Sequence, residues 1–235
     1  MKQFKKINKF ILSVIVFCFI QNSVNAKAIK NDMMQEEYYD LASEEVENLK
    51  TAALLGNVEA SWKLWEYYEL AKYDYSEAEF WEIIICENEL NENAEGTYNY
   101  AVSLVNQKNT EDRGWYWLYR CKQAGYVYNE FLQNLYKQAD SKIKQYMPIN
   151  KTTEFSKMEI SEIERSANIG NGDAAYYLYK KYFANKSTEE YGLSWLRIGA
   201  QNGSLKCIKE FCKYLENSRN KNEKLRAEFW RKQLE

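Results

Sequence analysis

Outside its first 26 residues the chain carries four thiols, Cys86, Cys121, Cys207 and Cys212, the side chains with the most covalent chemistry to offer. In an oxidising compartment an even set of four permits two disulfides, with three possible connectivities. As nucleophiles they lack the usual helper, because the 235 residues include no histidine. That removes the common general base near neutral pH, the Ser-His and Cys-His pairs, and the commonest metal ligand. Adjacent acids stand at Glu36-Glu37, Glu44-Glu45 and Glu189-Glu190. Neighbouring carboxylates point to different sides of a helix, whereas acid–base work needs two that face one cleft. No glycine-rich phosphate loop, Cys-x-x-Cys or Gly-x-Ser-x-Gly is present. The expectation is a protein with no catalytic residues, no cofactor and no metal.

Charge narrows the partners. The whole chain has 32 basic and 34 acidic residues, a net −2. The first 26 residues hold four lysines and no acid, which leaves −6 for the remainder. Phosphate recognition needs a basic face, so nucleic acid is not an expected partner. The basic stretch "NSRNKNEKLR" (Asn217–Arg226) is broken by Asn and Glu and reads as a solvated loop and helix start.

Those first residues have their own logic. Four lysines lead into the apolar run Phe10–Ile20, which ends near Val24-Asn25-Ala26, with small residues where a signal peptidase reads. About eleven apolar residues fall short of the roughly twenty that span a bilayer. Bulky Phe17 before Cys18 argues against a lipoprotein site. Residues 1–26 are therefore expected to be a cleaved signal peptide, residues 27–44 a lead-in, and the product periplasmic or secreted without stable membrane insertion.

The positioning elements are helices. One proline and nine glycines are too few for the tight turns of a β-sandwich. "AALLGNVEASWKLWEYY" (Ala52–Tyr68) and "ANIGNGDAAYYLYKKY" (Ala167–Tyr182) share a Gly-Asn turn followed by Ala60, Leu64, Tyr68 and by Ala174, Leu178, Tyr182. Residues four apart lie on one helix face. The glycine suits a left-handed helix end. "GWYWLYRCKQAG" (Gly114–Gly125) matches "GLSWLRIGAQNG" (Gly192–Gly203), and "AEFW" occurs at Ala78–Trp81 and at Ala227–Trp230. The spacing predicts repeated helix–turn–helix units. First helices begin near Ala60, Gly96, Tyr128, Ala174 and Cys207, and second helices centre near Trp81, Trp117, Ile163, Trp195 and Trp230. Pro148 marks a helix break.

In that register Cys86 and Cys121 occupy near-equivalent places on successive second helices, a possible disulfide. Cys207 takes the small-residue position of Ala60 and Ala174, where a buried thiol packs as a small hydrophobe.

These triplets and tryptophan pairs resemble the Sel-like repeat family, a subclass of the tetratricopeptide superfamily, over most of residues 45–235. Trp65 and Tyr179 replace the glycine that the family places after its leucine. The resemblance implies an all-α superhelix, a solenoid of about five helix–turn–helix repeats, with a concave wall that binds another protein. It also implies a non-enzymatic role, such as an immunity-type inhibitor of a secreted toxin or effector, or an envelope adaptor or host-interaction scaffold. A β-lactam-binding enzyme of the cysteine-rich relatives is the remaining class, although their regular cysteine pairs are missing. Aromatics that the core pattern does not require, Trp62, Trp65, Tyr98 and Tyr179, with the acid Glu66, are the candidate partner-binding residues.

Overall fold

The computed structural model describes residues 41–89, 94–126, 130–146 and 154–235. The signal segment, residues 27–40 of the lead-in, Glu36-Glu37, Tyr128 and Pro148 lie outside them.

The glycine turns organise the chain. Gly56, Gly125, Gly170 and Gly203 take φ of 109°, 77°, 111° and 80°, the left-handed region that other residues avoid. At each one the glycine N–H donates to the carbonyl three residues back, and the next N–H donates five residues back. Gly56 thus pairs with Ala53 and Asn57 with Ala52, while Gly170 pairs with Ala167 and Asn171 with Ser166. This Schellman closure satisfies carbonyls that a helix end leaves orphaned. After Gly56, Gly170 and Gly203 the next residue caps a new helix. Asn57 Oδ1 accepts from Ala60 N at 2.8 Å, and Asn171 Oδ1 accepts from Ala174 N at 3.1 Å. Losing such a cap costs about 1 kcal/mol.

Eleven α-helices result among the described residues: α1 Ser43–Leu54, α2 Val58–Glu66, α3 Tyr75–Asn88, α4 Glu95–Val105, α5 Glu111–Gln123, α6 Glu130–Tyr146, α7 Ile160–Asn168, α8 Gly172–Phe183, α9 Glu189–Gln201, α10 Leu205–Glu216 and α11 Lys221–Lys232. No strand occurs among these residues. A π-helical turn, Tyr67–Lys72, extends α2. Consecutive helices pack as neighbours from α1 to α6 and again from α7 to α11. Two sequence expectations need correction. Trp230 lies near the end of α11, not at its centre. The middle unit is no hairpin: α6 packs on α5, whereas α7 packs on α5, α8 and α9.

Small residues let the helices approach. Ala60, Ala174 and Cys207 are buried, and a Cβ on Gly199 would sit 2.2 Å from Cys207 Sγ. Cys207 is the small core residue that its register position requires. Leu64 and Leu178 fill the grooves and are fully buried, each burial worth about 1.5–3 kcal/mol.

An open solenoid would keep its first and last helices apart. Here α11 packs on α1. Leu225 joins the core of Leu54, Leu64 and Trp81, and a Cβ on Gly56 would lie 2.9 Å from the Phe229 ring. Among the described residues the two end helices touch, and the expected open superhelix with a free inner wall is not shown. Helices α3, α5, α9 and α11 supply the side chains that meet between those ends.

Candidate functional site

Glu87 on α3 is fully buried, and a buried carboxylate must be paired and hydrogen-bonded to be tolerated. Its Oε1 accepts from Arg197 Nε at 2.6 Å and from Gln201 Nε2 at 2.7 Å, both on α9. Its Oε2 accepts from Arg226 Nη2 on α11 at 2.8 Å. Burial pushes the Glu87 carboxyl up, but Arg197 and Arg226 outweigh it and hold it down at about 2. Burial in turn lowers Arg226 to about 10, so both partners stay charged at neutral pH. Arg226 Nη1 also donates to Asn88 Oδ1 at 2.7 Å and to Leu54 O, at the end of α1, at 3.3 Å. A cation at that end complements the helix dipole.

Arg113 on α5 continues the seam. Nη2 donates to Gln201 Oε1 at 2.7 Å, and Nη1 donates to Asn202 Oδ1 at 2.6 Å and to Asn168 O at 3.3 Å. Its guanidinium lies 4.5 Å from the Tyr116 ring centroid and 4.7 Å from that of Trp117. Such stacking favours a desolvated cation. Sequence reasoning missed this seam. Arg226 closes a stretch that reads as solvated, yet it is 5% exposed. A lone Arg inside a polar segment gives no local sign of a partner more than a hundred residues away.

The second feature is a surface at the tip joining α2 to α3. The π-helical turn ends at Tyr73, whose φ of 53° is left-handed, and Asp74 Oδ1 caps α3 by accepting from Glu77 N at 3.2 Å. Leu70, Tyr73, Tyr75 and Phe80 are exposed there. Glu82 on the adjacent face is pushed up to about 7 by burial and by the nearby carboxylates Glu69 and Glu79. Apolar side chains thus sit beside crowded negative charge.

The five partner-binding candidates fall elsewhere and do not form one surface. Trp62 and Trp65 meet edge to face at 5.6 Å between centroids. Trp62 is half-buried and its Nε1 donates to Glu89 Oε1 at 3.3 Å. Glu89 in turn accepts from Thr97 N at 2.8 Å and so caps α4. Trp65 is half-buried against the core of α1–α3, and Glu66 is half-buried beside it in sequence. Tyr98 leans on Tyr126, 5.7 Å between centroids, on the α4–α5 side. Tyr179 is 5% exposed and packs in the core of α7–α11, so its place is internal. The loop "YYELAKYDYS" (Tyr67–Ser76) held the exposed aromatics, and its tyrosine density was the signal available.

Cys86 and Cys121 share one core cluster but stand as free, buried thiols, as do Cys207 and Cys212. The possible Cys86–Cys121 disulfide is not formed. Burial pushes both thiols up, away from the reactive thiolate. Among the described residues no group of three or more His, Cys, Asp or Glu is placed to hold a metal ion. Nor is any helix among them long and apolar enough to cross a membrane.

Compared with known proteins, the chain matches no family model, no curated protein and no solved structure.

Proposed function

We propose that the chain is an exported helical-repeat module, akin to the Sel-like repeat proteins, that binds another protein and performs no chemistry of its own. In its most concrete form it is a periplasmic immunity-type inhibitor that caps a secreted toxin or effector. The observation that carries the reading is the α2–α3 tip, where Leu70, Tyr73, Tyr75 and Phe80 are exposed next to Glu69, Glu79 and Glu82. Large apolar side chains exposed close together in sequence are candidates for a binding surface. Crowded carboxylates favour a partner that brings Lys or Arg, which both relieves repulsion and steers encounter. This moves the binding face from the inner wall of the array to an outer tip.

The test is capture of a partner from the native envelope by the full chain and by an L70A/Y73A/Y75A variant of it. The expected result is a basic protein held one-to-one by the wild type and lost by the variant. A partner retained equally by both, or several weak partners unaffected by the substitutions, contradicts the reading.

A further inference from the structure

The seam repeats itself, with an offset of 114 residues for its carbonyls and amides and of 113 for its arginines and their rings. Asn88 Nδ2 donates to Ala53 O at 2.9 Å, and 114 residues on Asn202 Nδ2 donates to Ala167 O at 2.8 Å. Arg226 Nη1 bridges Leu54 O and Asn88 Oδ1, at 3.3 and 2.7 Å. Arg113 Nη1 bridges the residues 114 further along, Asn168 O and Asn202 Oδ1, at 3.3 and 2.6 Å. The second donor nitrogen follows suit: Arg226 Nη2 reaches Glu87 Oε2 at 2.8 Å, and Arg113 Nη2 reaches Gln201 Oε1 at 2.7 Å. Each guanidinium also lies over the rings three and four residues on, Phe229 and Trp230 in one case, Tyr116 and Trp117 in the other. Even the close approaches match. A Cβ on Gly56 would meet Phe229 at 2.9 Å, and one on Gly170 would meet Tyr116 at 2.5 Å.

We propose that the chain is two copies of one five-helix module, α1–α5 and α7–α11, closed head to tail about a pseudo-two-fold axis at which Glu87 and Gln201 meet. Three features follow from this arrangement. The last helix of each module docks on the first helix of the other, so α11 on α1 and α5 on α7 are the same joint. The equivalent residues Glu87 and Gln201 touch each other, since Gln201 Nε2 donates to Glu87 Oε1 at 2.7 Å. Packing is conserved with the bulk exchanged between partners. A Cβ on Gly96 would meet Ile85 at 2.4 Å, whereas in the other module Gly199 is the small residue and Cys207 the larger. Helix α6 then serves as the connector between modules. The single seam carboxylate can be carried by either member of the axial pair, because Arg197 lies one turn before residue 201 on the same helix and within reach of both.

The experiment is an exchange of that charge in the full chain, E87Q, Q201E and the E87Q/Q201E double variant, followed by thermal unfolding. E87Q leaves Arg197 and Arg226 without their carboxylate and lowers Tm by about 10 °C. Q201E crowds two carboxylates and also lowers Tm. The double variant returns one carboxylate to the axial pair, at residue 201 beside Arg113, and regains at least half of the E87Q loss. A double variant no more stable than E87Q overturns the proposal. Should E87Q fail to fold, recovery of a folded double variant by circular dichroism supports the exchange, and failure of both overturns it.

Discussion

Arg226 and Glu87 stand 139 residues apart in sequence, yet Nη2 of one lies 2.8 Å from Oε2 of the other. The pair ties α11 to α3 and, through Leu54 O, to α1. Removing one partner of a buried pair costs about 3–5 kcal/mol because a charge is left stranded. R226A should therefore lower Tm by about 10 °C in a chain of this size. R113A should cost less, about 1–3 kcal/mol, since it strands only amides and a carbonyl. Urea unfolding of both variants checks the order, and a larger loss for R113A contradicts it.

Acid should weaken the seam in a defined window. The folded Glu87 carboxyl titrates at about 2, below its ordinary 4.5. Its contribution is thus fully present above pH 4.5 and is lost as pH falls toward 2, on the order of 3 kcal/mol in all. Unfolding free energy measured from pH 6 to pH 2 should drop more in the wild type than in E87Q. Parallel pH profiles would argue against an ionised, paired Glu87.

Glu82 works in the opposite sense. Its folded pKa of about 7 lies above 4.5, so stability falls as pH rises from 4.5 through 7. E82Q should come close to the wild type at pH 4 and exceed it at pH 8. A basic partner at the tip should also take up the Glu82 charge, so that binding releases a proton near pH 7, visible as buffer-dependent binding enthalpy. An E82Q advantage of equal size at both pH values contradicts this assignment.

The four thiols outside the first 26 residues are free and buried. A thiol reagent should leave them unmodified in the native state and label all four after unfolding. Reductant should not change Tm. A fall in Tm on adding reductant would instead show that Cys86 and Cys121 are bridged.

The turns were legible in the sequence because their chemistry is local. Gly56 and Gly170 need positive φ, and Asn57 and Asn171 cap within three residues, so a few letters carry the instruction. The small–large–aromatic spacing carried the helices and much of the core for the same reason. The seam was not legible. Glu87 and Arg226 look like surface residues of amphipathic helices, and only closure of the ends brings them together. Tyr179 shows the converse: its place after Leu178 suggested a spare aromatic, but neighbouring helices bury it. Trp62 likewise spends its indole N–H on Glu89 inside the protein.

Hydrogen exchange at the amides of α1 in R226A tests the contact between α1 and α11 most directly. With closure, the substitution in α11 raises exchange in both α11 and α1, above all near Leu54 and Gly56, which lie about 170 residues away in sequence. If α11 alone loses protection while α1 exchanges as in the wild type, the ends do not support one another and the closed arrangement is wrong.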